Sequence, residues 1–149
     1  MEPLLTTVND NKRLVRCLYD CINARDLDGM LALVAPDFTG PRGERGPAEF
    51  RAAIATVLTG FPGVHFELHE VFGEGDRVAV RWTFRAPHAG RFAGLPPTHA
   101  FVTQEGHVIY QVRDGLIVRA WLQADRLGVL QQIGALPRSF ADSSASRPL

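Results

Sequence analysis

The chain has no charge excess, only two cysteines and no long apolar run, and each absence removes a class of function. Sixteen lysines and arginines balance sixteen aspartates and glutamates, with no basic cluster. Nucleic acid, whose binding rests on phosphate neutralisation, is therefore not expected as a partner. No apolar stretch approaches the roughly 18–20 residues needed to cross a bilayer, so no membrane partner is expected. The segment M-E-P-L-L-T-T lacks a basic region followed by an apolar run. A secretory signal is thus not expected, and cytoplasmic localisation is. Cys17 and Cys21 stand four apart in a helical pattern, a spacing that shares one face but rarely permits an unstrained disulfide. They read as buried thiols. No Cys/His cluster has zinc spacing, so no metal site is predicted.

What is present suits one domain. The 149 residues, 46% hydrophobic and 21% charged, are enough to bury a single core. The domain is expected over 9–136, with flexible termini at 1–8 and 137–149. No internal repeat is visible. Leu14, Val15, Leu18, Cys21 and Ile22 recur at three- and four-residue steps, which predicts a helix from about Asn9 to Arg25 with Asn9 or Asp10 as its cap. A short helix over 27–34 stops at Ala35-Pro36. A Gly/Pro-rich loop over 37–46 and a third helix over 47–58 follow. Alternation then takes over. Val64, Phe66 and Leu68 face one way and His65, Glu67 and His69 the other. Val78, Val80, Trp82 and Phe84 are likewise set against Arg81 and its neighbours. Asp125 is placed to cap a last helix over 127–133. Helices followed by a run of strands predict an α+β fold with an antiparallel sheet curled over the helices.

The most informative stretch is Phe101 to Asp125, two strands rich in Val, Ile, Tyr and Trp around Arg113-Asp114-Gly115. If Val112 pairs with Leu116, one face carries Gln104, Gly106, Val108, Tyr110, Val118, Ala120, Leu122 and Ala124. The other carries Glu105, His107, Ile109, Gln111, Arg119, Trp121 and Gln123.

Several segments resemble the SnoaL-like polyketide cyclases. They are N-A-R-D-L-D-G-M-L-A-L-V-A-P-D-F from Asn23, F-P-G-V at Phe61, E-G-D-R-V-A-V-R-W ending at Trp82, P-H-A-G-R-F-A-G-L-P-P-T ending at Thr98, R-D-G-L-I-V-R-A-W, and D-R-L-G-V-L-Q-Q-I-G. The resemblance covers about 11–135. It implies the cone-shaped α+β barrel of nuclear-transport-factor-2-like proteins and ketosteroid isomerase, with a bent sheet and helices around one pocket. It also implies a homodimer through the outer sheet faces, and cofactor-free ring closure of a polyketide-derived small molecule. Relatives include epoxide hydrolases and hydroxylation partners, so the fold leaves the chemistry open.

Aldol closure needs a base and a donor that stabilises the enolate. The His and Asp that serve such cyclases correspond here to Val108 and Leu122, and the His that often precedes the Trp is Ala120. The ketosteroid isomerase pattern, a worked example of tuned acids, also fails. Its tyrosine falls near Leu18, its base near Pro41 or Arg42, and its acidic donor at Val108. The inner face then reads as an apolar wall that folds a flexible substrate for a pericyclic (Diels–Alder-type) closure, which needs no proton transfer. Aldol closure or epoxide opening through other groups, and a non-catalytic binding dimer, are the alternatives. Gln104, Tyr110 and the crossing-loop His88 are the candidate catalytic groups. Trp82, Val108, Ala120, Leu122, Phe38 and Leu18 are the candidate substrate-binding residues. Glu105 and His107 look like an acid–base pair, but alternation sends them outward beside Trp121, which favours an interface. His65 and His69 read as solvated, His99 as a strand-start residue at the pocket rim or beyond it, and Asp125 as a cap.

Overall fold

A computed structural model describes residues 7–139. Helix α1 (Val8–Asn23) buries Asn11, Val15, Leu18, Tyr19 and Ile22 at helical spacing. Its cap is Thr7, not Asn9 or Asp10. The Thr7 hydroxyl accepts the Asp10 N–H at 3.0 Å, and the Asp10 carboxylate accepts the Thr7 N–H at 3.1 Å. Asp10 is therefore the second half of a reciprocal capping box. Thr7 and Val8 are thus ordered parts of the helix start. At the other end the Gln131 side chain donates to the Pro137 and Arg138 carbonyls. The remainder of the two termini expected to be flexible lies outside the described residues.

Helix α2 (Leu27–Leu31) is shorter than expected, because the chain enters strand β1 (Val34–Thr39) where a helix end and a loop were predicted. This strand escapes the alternation signal. It holds Pro36 and pairs on one side only, as an edge strand where a missing N–H costs no ladder bond. Helix α3 (Gly46–Gly60) has a proline in its first turn, where no donor is needed. Strands β2 (His65–Glu74), β3 (Arg77–Pro87), β4 (Phe101–Arg113) and β5 (Leu116–Ala124) follow, then helix α4 (Arg126–Gln132), capped by Asp125 through the Gly128 N–H at 2.9 Å.

The sheet order is β1-β5-β4-β3-β2, curved and unclosed. The fold is α+β as expected, but the sheet is mixed, since β1 runs parallel to β5. Asp114 and Gly115 both have positive φ (53° and 76°), the signature of a two-residue type I′ turn. That turn pairs Arg113 with Leu116 and Val112 with Ile117, in place of the expected Val112–Leu116 pair. An irregularity at Val118 then sets Tyr110 opposite Ala120 and Val108 opposite Leu122. Beyond it the register differs from expectation by two residues, so every side chain keeps its predicted face.

Two local ties hold the walls of the interior. Asn23, at the end of α1, accepts the Phe66 N–H at 2.8 Å and donates to the Phe66 carbonyl at 3.0 Å. Arg25 donates to the carbonyls of Pro62 (2.8 Å) and Val64 (2.6 Å). The Asn-Ala-Arg segment thus fixes the start of β2 against α1. Across the sheet, Gly106 lies opposite Trp82, and a Cβ at Gly106 would come within 2.4 Å of the indole ring. Only glycine lets Trp82 lie across β4.

Candidate functional site

Between the inner face of the sheet and helices α1 and α3 lies a cavity of about 130 Å³. Ile22, Phe50, Ile54 and Val57 wall it from the helices, and Phe66, Trp82, Val108, Ala120 and Leu122 from the strands. Its polar groups are few: Tyr19, Tyr110 and Gln104 inside, with Arg42 and Glu44 on the loop before α3. A second cavity of about 130 Å³ shares Arg42, Ala53, Val57 and Gln104 with the first and extends to Phe61, Phe84, Phe92 and Arg126. Gln104 therefore stands where the two chambers meet, and its amide has no hydrogen-bond partner among the described residues.

The Tyr19 and Tyr110 hydroxyls are 2.6 Å apart and buried. Burial pushes both phenols upward, and the neighbouring Tyr110 raises Tyr19 further. Both are neutral at ordinary pH, which makes them donors and not bases. One hydrogen lies in the bond between them, so the pair retains a second O–H for a ligand. Trp82 lies close enough to favour the Tyr19 phenolate, yet its buried Nε1–H makes no well-formed hydrogen bond. An unmade buried bond of this kind costs about 1–3 kcal/mol.

Six of the predicted residues meet at this cavity: Gln104, Tyr110, Trp82, Val108, Ala120 and Leu122. Three do not line it. Leu18 is fully buried in the core, and the next residue, Tyr19, takes the inward position. Phe38 packs on Phe50 with ring centroids 5.0 Å apart, one layer behind the wall. His88 is also fully buried, with Nδ1 2.9 Å from the Thr98 hydroxyl and accepting the Thr98 N–H at 3.3 Å. Its ring packs on Phe61 at 5.5 Å. These contacts make it a brace of the crossing loop, and it lines neither chamber.

Tyr19 and Glu44 are the residues that sequence reasoning missed. The tyrosine position of ketosteroid isomerase, placed near Leu18, points within one residue of Tyr19. The base position, placed near Pro41 or Arg42, points to the loop that carries Glu44. The Glu44 Oε2 accepts the Arg42 N–H at 2.9 Å.

On the opposite face Arg81 bridges Glu105 (3.2 Å) and Glu70 (3.1 Å), and His107 lies 3.5 Å from Glu105. None of these reaches the first cavity, and Asp125 is occupied as a cap. His65, His69 and His99 are exposed. Among the described residues no three His, Cys, Asp or Glu side chains converge as metal ligands, and no helix is long and apolar enough to cross a membrane.

The sequence profile of the SnoaL-like polyketide cyclases matches residues 12–133. AclR of Streptomyces galilaeus, provisionally assigned as a hydroxylase, is 27% identical with a TM-score of 0.81, over 93% of this chain and 92% of its own. IdmH of Streptomyces antibioticus, provisionally assigned as a polyketide cyclase, is 26% identical with a TM-score of 0.73, over 83% of this chain and 98% of its own. An NTF2-like protein of unknown function from Burkholderia pseudomallei is 25% identical with a TM-score of 0.69, over 84% of this chain and 98% of its own. Curated proteins returned no match.

Proposed function

The chain belongs to the SnoaL-like polyketide cyclase family, and from that premise we propose that it closes a carbon–carbon ring in a polyketide-derived small molecule of natural-product biosynthesis, without a cofactor. The observation that carries this reading is the Tyr19–Tyr110 pair set in an otherwise apolar cavity. The apolar walls hold a flexible chain folded so that its reacting ends meet. Such positioning is worth on the order of 7–11 kcal/mol in well-oriented intramolecular reactions. The free O–H of the tyrosine pair, with the Gln104 amide, donates to a substrate carbonyl and draws electron density from the reacting π-system. That polarisation accelerates a pericyclic closure and requires no base. Pockets for drug-sized ligands measure about 300–1,000 Å³, more than either chamber alone, so the substrate spans both.

One observation favours a second reading. Glu44 lines the first cavity, and as a base it would turn the same carbonyl contact into enolate stabilisation for an aldol closure. Incubation with a linear polyketide intermediate separates the two. Templating predicts a cyclised product, a loss of about 10²-fold in kcat for Tyr110→Phe or Tyr19→Phe, and activity retained in Glu44→Gln. Loss of activity in Glu44→Gln with an intact fold selects the aldol route. No cyclised product from any polyketide-like substrate overturns the enzymatic reading and leaves a binding dimer.

The dimer is proposed through the outer face. Phe72, Ala79, Ile109 and Trp121 pair successively across four strands and form one apolar row. Phe72, Ile109 and Trp121 are 61%, 46% and 37% exposed, and with Ala79 they line a groove of about 530 Å³. A self-complementary row of this kind suits a two-fold contact.

A further inference from the structure

The second chamber has a charge character that the first lacks. Arg42 and Arg126 both line it, together with Thr56, Gln104 and apolar groups, and no acidic residue does. Arg81 lies within 3.2 Å of two carboxylates, and Arg113 is 2.6 Å from Asp37. Arg42 and Arg126 have no ion pair among the described residues. Arg126 instead sits over the Phe92 ring, 5.8 Å from its centroid, which holds it towards the chamber. Burial, then the like charge of Arg42, lowers the Arg126 guanidinium from its usual value. Two cations facing one small space repel, and an anion between them removes that cost.

We infer that Arg42 and Arg126 form a carboxylate subsite, so that the preferred ligand is a linear acid whose apolar chain fills the first chamber and whose carboxylate lies between the two guanidiniums. A planar carboxylate matches the fork of each guanidinium, and Gln104, at the junction, is placed to hold the chain where it passes from one chamber to the other. The acid's role as a substrate rests on the cyclase reading, whereas the subsite itself is read by equilibrium binding alone.

The test is calorimetric titration of the protein with 2,4,6-octatrienoic acid and with its methyl ester at pH 7.5 and low salt. The acid is expected to bind at least 10-fold more tightly than the ester. The double variant Arg42→Ala/Arg126→Ala abolishes that ratio and leaves the ester affinity within about two-fold. Arg85→Ala, on an exposed outward position, leaves the ratio intact. The ratio is an equilibrium quantity that needs no turnover, so a failure of the catalytic reading does not disturb this measurement. Equal affinities for acid and ester, or a preference that survives the double variant, overturns the proposal. Displacement of the bound acid by 4′-phosphopantetheine far more effectively than by acetate also overturns it, because the subsite is then one for a carrier phosphate.

Discussion

Ile109 and Tyr110 are adjacent in β4 and live in different surroundings. Tyr110 is buried against Tyr19 with no charged side chain in hydrogen-bond contact, and Ile109 is 46% exposed on a face crossed by Arg81, Glu105 and His107. The same contrast holds for the two tryptophans. Trp82 is buried over Gly106 with an unsatisfied N–H, whereas Trp121 is stacked by Arg77 and Arg119 at 5.3 and 4.6 Å. The difference teaches where chemistry by position can operate. The inner face buries its phenol pair as neutral donors, so a polar contact there is stronger than the same contact in water. The outer face carries most of the obvious acid–base residues, but solvent screens them. In this fold the titratable groups that catch the eye are on the wrong side of the sheet.

The widest separation between the faces should appear in stability. Trp82→Ala removes a fully enclosed aromatic and is expected to cost about 3–5 kcal/mol, measured by urea unfolding. Trp121→Ala, on the exposed face, should cost about 1 kcal/mol, mainly its stacking with two guanidiniums. Comparable losses for the two would break the contrast. In catalysis the neighbours should diverge as well. Tyr110→Phe lowers kcat about 10²-fold, and Ile109→Ala changes it less than two-fold when turnover is assayed on a linear intermediate.

Assembly tests the outer face directly. Ile109→Glu places a charge in the centre of the apolar row, and a two-fold contact doubles it. Light scattering is expected to show the mass falling from dimer to monomer while the circular dichroism spectrum is kept. A wild-type chain that is monomeric at micromolar concentration removes the interface reading.

Much of this contrast was legible in the sequence. Alternation over Gln104–Gln111 and Arg119–Ala124 assigned those residues to the faces they take, although the register was off by two, because period-2 patterns survive even shifts. The Asp-Gly turn and the Asp125 cap were readable from local chemistry. What was not legible depends on distant partners. Strand β1 contains Pro36 and gains its identity only by lying beside β5. Tyr19 and Leu18 are both buried, and helical periodicity alone cannot say which of two adjacent inward residues meets a cavity. His88 is an imidazole in a crossing loop, and only the fold shows that Thr98 and Phe61 enclose it. Glu44 stands in a loop that carries no period at all, so no pattern marks it.

The smallest expected effect concerns the outer charges, and its sign is informative. Arg81, first, and then His107 hold the Glu105 carboxyl below its usual value of 4.5. A carboxylate lowered on folding stabilises the native state fully above the unfolded value, and that contribution disappears as pH falls through the folded value. The stability difference between the wild type and Glu105→Gln should therefore be present at pH 7, shrink below pH 4.5 and vanish in stronger acid. Because the group is exposed, salt should reduce it throughout. The comparison is sharpened by running Tyr19→Phe beside it. Both cavity phenols are raised by burial and stay neutral across this range, so the cost of Tyr19→Phe should be flat from pH 7 to acid and insensitive to salt. A pH- and salt-dependent penalty for the tyrosine would mean that the charges of Arg42 and Glu44, on the loop at the cavity edge, are felt by the phenol pair, and the division between the faces would fail there first.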